Sequence, residues 1–204
     1  MVTAVENEFK FTTDDCSNVE HILQELESYL IEKDIIYSYR TKQSVDSYFD
    51  SKHLLLYSAG CMLRRKVSST GKIKHTFKEP ISNDYGMMSR QETERTSDGS
   101  FKDLCNFVRE IYPDINIEEQ PVFTMECERA AYDLDNGTNL SIDLCTYVSG
   151  KKRKDFLEIE LECMSDVVNR DFDSEGLCDL ALELGFEQVT RSKYQRGVEW
   201  LRAL

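Results

Sequence analysis

Alternation of charged and apolar residues is the dominant pattern along this chain. Glu6, Glu8 and Lys10 occupy every second position of the segment Val5–Phe11, and the residues of opposite parity are mostly apolar. Because side chains alternate across a strand, the pattern predicts a strand with three charges on one face. Taken alone, such a face is typical of a solvated sheet with cross-strand ion pairs.

The same alternation recurs further along the chain, which favours a more specific architecture than one solvated sheet. A sheet with so many charged and so many apolar faces needs an arrangement that uses both. One solution is a closed antiparallel barrel with a charged lumen and helices outside. The recurrences are Arg64 and Lys66; Lys72, Lys74, Thr76 and Lys78; Arg90, Glu92 and Glu94; Ser141 and Asp143; and Glu158, Glu160 and Glu162.

These patterns predict one domain spanning residues 1–204. The length does not require two domains, and no Pro/Gly/Ser-rich linker divides the chain. The predicted fold class is α+β, with an eight-stranded closed antiparallel barrel flanked by amphipathic helices. The strands are predicted at 5–11, 37–50, 61–68, 72–79, 88–96, 122–135, 138–147 and 155–163.

Apolar residues at helical spacing predict four amphipathic helices that would cover the apolar outside of the barrel. The first follows the first strand, where Ser17-Asn18-Val19-Glu20 offers a cap and a capping box. The second ends at Pro113 and the third at Gly185, since neither residue favours continuation of a helix. The last three helices are predicted at Phe101–Tyr112, Ser174–Leu184 and Tyr194–Leu201.

The formal net charge of −13 argues against a nucleic-acid partner, which would normally require a basic face. The N-terminus is polar, and the sequence has no apolar run long enough to span a membrane, so we expect a cytoplasmic protein without a membrane partner.

Lys151–Lys154 is expected to be a solvated hairpin tip, and Asn136-Gly137 a tight hairpin turn. The seven cysteines contain no C-x-x-C pair and predict buried, reduced thiols.

Six segments occur in a defined order and are followed by a late lysine, Lys193. They are Glu6-x-Glu8-x-Lys10, Asp46–Asp50, Met62–Lys66, Thr76–Pro80, Ser89–Glu94 and Phe156–Glu160. In order and spacing these segments resemble the signature of the CYTH superfamily, the triphosphate tunnel metalloenzymes. The resemblance extends from Glu6 to about Lys193, and it implies the same closed barrel with a charged tunnel.

The resemblance also implies a chemistry in which cations cradle a triphosphate and carboxylates hold metal ions. Oxygen-only ligation favours Mg²⁺ or Mn²⁺, and cations bind phosphate oxygens through charge-assisted hydrogen bonds. Catalytic roles are implied for Glu6, Glu8, Lys10 and Arg129. Substrate-binding roles are implied for Lys10, Arg64, Lys66, Lys78, Arg90, Arg129 and Lys193. Metal-binding roles are implied for Glu6, Glu8, Glu94, Asp143, Glu158 and Glu160.

Two positions depart from the pattern of the superfamily. Lys66 stands where an arginine is common, which keeps the charge but loses the bidentate fork. Cys127 stands where many members have lysine, in a strand that keeps Arg129. The second departure removes one phosphate-binding cation and bears on catalytic rate or substrate preference.

Three functions are compatible with these residues. The first is hydrolysis of inorganic triphosphate or a small organic triphosphate by attack of water on a terminal phosphorus. The second is a class IV-type adenylyl cyclase, which converts ATP to cyclic AMP and pyrophosphate. The third is a non-catalytic module that binds polyphosphate or phosphorylated ligands. Hydrolysis ranks first because a triphosphate cradle is visible in the sequence and an adenine pocket is not. The expected partner is a small-molecule triphosphate, and the oligomeric state is open.

Overall fold

A computed structural model describes residues 1–84, 87–164 and 174–204. Eight long antiparallel strands dominate the described residues and close into a barrel, which confirms the predicted α+β fold class. A two-residue strand, β9 at Glu187–Gln188, pairs with Phe11 and Thr12 of the first strand. The long strands are β1 Val2–Thr13, β2 Tyr37–Phe49, β3 Met62–Ser68, β4 Ile73–Asp84, β5 Met87–Thr96, β6 Phe123–Leu134, β7 Thr138–Ser149 and β8 Lys152–Met164.

Strand β1 closes the barrel, because it pairs on both of its edges. Around the barrel the strand order is β1-β5-β4-β3-β2-β6-β7-β8, and β8 returns to β1. One edge of β1 pairs with β8 over residues 6–13. The other edge pairs with β5 over Val2–Glu8 and then with β9 at Phe11 and Thr12. Strands β1 and β2 therefore lie on opposite sides of the lumen.

The helices follow the predicted order with two differences. Helix α3 ends at Arg109, three residues before the predicted end at Tyr112. Helix α2, Leu55–Ser58, was not predicted, because one turn is too short to show helical periodicity. The Asp50 carboxylate stabilises this turn by accepting hydrogen bonds from the backbone N–H groups of Leu56 and Tyr57. No helix in the described ranges is long and apolar enough to cross a bilayer. The helices are α1 Val19–Glu32, α2 Leu55–Ser58, α3 Phe101–Arg109, α4 Ser174–Glu183 and α5 Lys193–Arg202.

The capping box predicted for α1 is wrong. Asn18 is the N-cap residue and makes no side-chain cap, while the Ser17 hydroxyl donates to Asp15 instead. A complete capping box occurs at α5, where Ser192 and Gln195 bond reciprocally. Helix α5 therefore starts at a defined residue, and that residue directly precedes Lys193.

Two hairpin turns were predicted from the sequence, and both occur. Asn136-Gly137 is the hairpin turn that was predicted, with Gly137 at φ +85°. The basic run Lys151–Lys154 lies at the tip of the β7–β8 hairpin, as predicted: Gly150 and Lys151 form the turn, and Lys151, Lys152 and Arg153 are exposed. The run is not free of contacts, since Arg153 pairs with Glu126 and Lys154 with Asp14, both pairs being open to solvent.

Three apolar clusters surround and partly fill the barrel. One lies outside under α1 and α4, and another lies outside under α2 and α3. The third lies inside, since Phe156 shares the parity of Glu158 and Tyr48 shares the parity of Asp46. We call this third cluster the aromatic plug. Its buried members are Tyr48, Met62, Phe123, Met125, Cys127, Cys145, Tyr147, Phe156, Tyr194 and Val198.

The aromatic plug corrects the expectation of a lumen that is charged throughout. Helix α5 covers one end of the barrel and contributes Tyr194 to the plug. The Tyr194 ring stacks on Tyr48 and Phe123, with ring centroids 5.7 and 6.0 Å apart. The interior is therefore apolar at this end and charged at the other. Gly197 permits the close approach of α5, because a Cβ at this position would lie 2.2 Å from the Phe123 ring.

We expect Gly197→Ala to lower the free energy of unfolding by about 1–3 kcal/mol, because the added methyl group must displace the Phe123 ring or the helix. Chemical denaturation of the two proteins measures the loss. If the clash is the cause, the same substitution should cost less in a Phe123→Leu background, where the ring is absent. Equal costs in both backgrounds would show that contact with Phe123 is not the reason for a glycine here.

Candidate active site

The charged half of the lumen holds a cavity of about 860 Å³. Alternate residues from all eight long strands line it, together with Lys193 and Tyr194 from α5. Asp143 and Glu158 do not line this cavity, and both are fully buried behind its wall. The other residues with a predicted role all do: Glu6, Glu8, Lys10, Arg64, Lys66, Lys78, Arg90, Glu94, Arg129, Glu160 and Lys193.

Carboxylates concentrate on one side of the cavity, where β1 lies between β8 and β5. The register sets Glu8 directly opposite Glu162 and Lys10 opposite Glu160. So many carboxylates in one buried region cost free energy unless cations neutralise them. We call this side the acidic wall; it consists of Glu6, Glu8, Glu92, Glu160 and Glu162.

Two lysines neutralise much of the acidic wall. The Lys78 ammonium contacts the Glu6 carboxylate and lies 2.8 Å from Glu92 Oε2. The Lys10 ammonium contacts Glu160 and lies 2.9 Å from Glu8 Oε2. These two ammonium groups therefore tie together strands β1, β4, β5 and β8.

The second carboxylate oxygen of Glu8 has a different environment. Glu8 Oε1 is buried, and no hydrogen-bond donor in the described ranges reaches it. The Arg90 guanidinium lies 3.9 Å from this oxygen, measured to Nε. A buried carboxylate oxygen without a donor is costly, and ligation of a hard cation would satisfy it.

At the cavity wall, the Lys193 ammonium lies among three buried carboxylates. Its Nζ is 2.6 Å from Asp143 Oδ2, 2.6 Å from Glu158 Oε1 and 3.0 Å from Glu160 Oε1. Oxygens of these carboxylates lie within 4.8 Å of one another, a spacing that a metal ion could also use. Here the ammonium supplies the neutralising charge. Metal ligation by Asp143 or Glu158 stays a prediction, since an ion would compete with Lys193.

Arg129 is held rigidly by the same group of carboxylates. Its Nε and one terminal nitrogen donate to the two oxygens of Asp143 at 2.6 and 2.5 Å, and that terminal nitrogen also donates to Glu160 at 2.5 Å. Bidentate pairing of this kind fixes the plane of a guanidinium. Asp143 thus orients Arg129 toward the cavity that Arg129 lines.

Arg196 is a further member of this network that the sequence did not indicate. Its guanidinium contacts Glu158, donates to Thr12 Oγ1 at 2.8 Å and stacks 5.0 Å from the Phe156 ring centroid. Arg196 lies one helical turn after Lys193, so both cations point from α5 into the barrel. Strand parity could not reveal a helical residue that contributes to the interior of a barrel.

Cations concentrate on the side of the cavity opposite the acidic wall, on β2, β3, β4 and β6. The Arg64 guanidinium donates to Asp46 at 3.0 Å, and Lys74 pairs with Glu94. The ammonium groups of Lys42 and Lys66 form no hydrogen bond or ion pair with any residue that the structure describes. We call this side the basic wall; it consists of Lys42, Arg64, Lys66, Lys74 and Arg129.

Neighbouring positive charge affects both unpaired lysines. Burial lowers the pKa of Lys66; Asp46 opposes the shift, and Arg64 and Arg129 add to it. Burial also lowers the pKa of Lys42, with further lowering from nearby cations that include Arg129 and Lys66. Charge of one sign therefore remains uncompensated on the basic wall.

The sequence contained a signal for three further charged residues of the cavity to which it assigned no role. Lys42, Lys74 and Glu162 share strand parity with Asp46, Lys78 and Glu160 respectively. Parity places these three residues on the lumen side, but parity alone does not show how far the charged half of the lumen extends. That limit depends on the aromatic plug.

The acidic wall contains carboxylates with opposite pKa shifts. Burial raises the pKa of Glu6 to about 7; Lys78 opposes the shift, while Glu92 and Glu162 add to it. Burial also acts on Glu8, but Lys10 and Lys78 outweigh it and hold the pKa of Glu8 below its usual value. Of Glu6 and Glu8, Glu6 is therefore the one whose carboxyl group stays protonated up to a pH near neutral.

Cys127 lies at the boundary between the cavity and the aromatic plug. It faces Cys145 directly across β6 and β7, and both thiols are buried. Burial raises the pKa of Cys145 well above its ordinary value, which keeps this thiol protonated. All seven cysteines are free, and four of them, Cys61, Cys105, Cys127 and Cys145, are buried as predicted.

The fold matches solved structures over nearly its whole length. A candidate adenylyl cyclase from Hippeastrum, described as having a dominant triphosphatase activity, superposes with a TM-score of 0.62 at 19% identity, covering 93% of both chains. A candidate adenylate cyclase from Bacillus halodurans gives 0.62 at 20% identity, covering 96% of this chain and 98% of the other. The Mimivirus capping enzyme triphosphatase gives 0.51 at 11% identity, covering 88% and 89%.

These structures share the barrel that the motif resemblance implies, so the resemblance is confirmed at the level of the fold. No protein-family model matches the sequence, and no curated protein sequence matches it. The shared architecture is therefore visible in the backbone while the identities stay between 11% and 20%.

The raised pKa of Glu6 gives a test on the metal-free protein. Its folded pKa of about 7 lies above the ordinary 4.5, so protonation stabilises the fold below about pH 4.5 and this stabilisation is lost as pH rises through about 7. Glu6→Gln mimics the protonated form. We expect nearly equal unfolding free energies near pH 4 and a variant more stable by up to about 3 kcal/mol at pH 8.

Urea denaturation at both pH values measures this difference. Glu128→Gln is the matched control, because Glu128 is exposed on the outer face of β6 and should show no pH-dependent gain. If Glu6→Gln and the wild type have the same unfolding free energy at both pH values, burial does not destabilise the ionised Glu6 carboxylate.

Proposed function

We propose that the protein is a metal-dependent hydrolase of triphosphates. The observation that carries the proposal is the pairing of an acidic wall and a basic wall across one cavity, with Lys42 and Lys66 unpaired on the basic side. Lys66 is partly buried and Lys42 is exposed. Uncompensated cations that line a cavity favour an anion, and a facing carboxylate cluster favours metal ions. A triphosphate with its metal is a ligand that satisfies both walls.

The cations that would bind the substrate differ in their present partners. Lys66 has no partner, and Arg129 and Arg64 are already oriented by Asp143 and Asp46. Such cations are preorganised and need little rearrangement to bind phosphate oxygens. Lys10, Lys78, Arg90 and Lys193 complete the proposed cradle on the side of the acidic wall.

The residues of the acidic wall fit a hard divalent ion. Every atom there that could ligate a metal is a carboxylate oxygen. Glu8 Oε1 in particular is buried and accepts no hydrogen bond from the described residues. Glu6, Glu8 and Glu160 would hold Mg²⁺ or Mn²⁺, with Glu94, Asp143 and Glu158 as further proposed ligands. Such an ion supplies charge neutralisation on the phosphate oxygens and lowers the pKa of a bound water.

The protein's own residues would position the substrate and exclude water. Lys10 and Lys78 now neutralise the carboxylates of the acidic wall. Their ammonium groups become available to phosphate oxygens when those carboxylates ligate a cation. The aromatic plug closes one end of the lumen, so the terminal phosphate would lie where bulk water enters from one side only.

ATP cyclisation is the second candidate, and the description of the Bacillus halodurans neighbour as a candidate adenylate cyclase favours it, whereas that of the Hippeastrum neighbour gives triphosphatase activity as dominant. A cyclase must hold the adenine and place the ribose hydroxyl at the α-phosphorus. The aromatic rings that line the cavity, Tyr48 and Tyr194, are 2% and 0% exposed and offer little surface for a base. Hydrolysis therefore ranks above cyclisation.

The test is product analysis with tripolyphosphate, thiamine triphosphate and ATP in turn, with Mg²⁺ or Mn²⁺. We expect metal-dependent release of orthophosphate, and a fall in kcat of about 100-fold or more in Glu6→Gln. Glu128→Gln, on the exposed outer face, should retain full turnover.

Other outcomes decide among the alternatives. Cyclic AMP with pyrophosphate would identify a cyclase. No product from any substrate would favour a module that only binds phosphorylated ligands, and turnover that is insensitive to both metal and Glu6→Gln would exclude the proposed site.

A further inference from the structure

We propose that Cys127, Cys145 and Asp143 form a binding site for a thiophilic divalent ion of the Zn²⁺ class. The site lies on the inner faces of β6 and β7, at the boundary between the cavity and the aromatic plug. Its sulfur ligands distinguish it from the acidic wall, where only carboxylate oxygens are offered to a metal. The inference does not depend on the proposed hydrolysis, because it concerns the binding of an ion and no turnover.

The register of β6 and β7 brings the three side chains together. Cys127 is directly opposite Cys145, and the next pair on the same face of these strands is Arg129 and Asp143. Cys145 and Asp143 are two residues apart on β7, so both side chains point into the lumen. The two sulfur atoms and a carboxylate oxygen of Asp143 all lie within 4.8 Å of one another. Three potential ligands from two adjacent strands therefore converge.

This set of ligands favours a soft ion over the hard ions proposed for the acidic wall. Mg²⁺ and Mn²⁺ prefer oxygen ligands, whereas thiolate sulfur favours Zn²⁺ and related ions. In a tetrahedral zinc site with bonds of about 2.0–2.3 Å, neighbouring ligand atoms are about 3.3–3.8 Å apart. The spacing in this cluster reaches that geometry through small rotations of the side chains. Three protein ligands leave the fourth position for water.

Asp143 has capacity for an ion although it already binds two cationic side chains. Its carboxylate accepts two hydrogen bonds from Arg129 and one from Lys193. A carboxylate offers about four acceptor positions, so one position remains. An ion can therefore bind Asp143 without displacing Arg129 or Lys193.

Charge balance makes a thiol pair suitable for metal binding in this buried region. Burial raises the pKa of the Cys145 thiol, so this thiol is protonated in the metal-free protein. A divalent ion that binds both sulfur atoms releases their two protons to solvent, because a coordinating thiol is deprotonated. Two positive charges leave as two enter, and the net charge of the region does not change. The cations Lys66 and Arg129, whose charges act on Cys127, favour the thiolate form.

Packing alone does not account for the pairing of these cysteines. A buried cysteine packs as a small apolar side chain, and alanine or valine would fill a similar space. Packing gives no reason for a second thiol directly opposite the first, with a carboxylate beside both. Cys127 is also the position at which the chain departs from the lysine that is common in the superfamily. Metal binding explains the residue that replaces this lysine.

Titration with Co²⁺, a spectroscopic substitute for Zn²⁺, tests the site under reducing conditions. We expect the wild type to show a thiolate-to-cobalt charge-transfer band that added Zn²⁺ abolishes. Cys127→Ala and Cys145→Ala should each lose the band and bind Zn²⁺ at least about tenfold more weakly, because each lacks a ligand. Cys61→Ala is the matched control, since it removes a buried thiol from the apolar cluster under α2 and α3 and should retain the band.

Urea denaturation of the metal-free variants shows which of them are folded. Protection of Cys127 in the wild type from alkylation by Zn²⁺, read by peptide mass spectrometry, gives the same answer without any variant. Absence of the band in the wild type, an unchanged band in either folded variant, or displacement of Co²⁺ by excess Mg²⁺ would overturn the proposal. A protein that binds Co²⁺ through both cysteines and hydrolyses no triphosphate would support this site and reject the proposed function.

Discussion

Burial of charge of both signs inside one barrel is the constraint on which the rest of this structure depends. A buried carboxylate or ammonium is costly unless an opposite charge or a set of hydrogen bonds compensates it. Lys10, Lys78 and Lys193 provide that compensation on the acidic side, each by contacting two or more carboxylates. The barrel must be closed for this to work, because only closure brings β1 and β5 together around the same interior.

The compensation is incomplete on both walls, and the sign of the unpaired charge differs between them. On the acidic wall Glu8 Oε1 has no donor and burial raises the pKa of Glu6, whereas on the basic wall Lys42 and Lys66 have no anionic partner within the described ranges. A network whose only role was structural would gain by pairing these groups or by replacing them with apolar residues. Unmet charge of opposite sign on facing walls is instead the arrangement expected of a site for an anion together with a cation.

The aromatic plug and helix α5 determine where that site ends. Gly197 lets α5 approach Phe123, and this approach positions Lys193 and Arg196 against the buried carboxylates behind the cavity. Packing at one end of the barrel is thus coupled to electrostatics in its centre. A change in the plug would alter the cavity without touching any residue that lines the basic wall.

Strand parity in the sequence determined most of the architecture and most of the cavity wall. Alternation is a local property, so Glu6, Glu8, Lys10, Arg64 and Lys78 could be assigned to one interior before any contact was known. The extent of the charged half could not be read in this way, because the residues of the plug share the same parity. Only the tertiary structure decided that Asp143 and Glu158 lie behind the wall, that Arg196 reaches them from a helix, and that Lys42 and Lys66 lack partners. Those facts depend on distances between segments remote in sequence, which the local pattern does not contain.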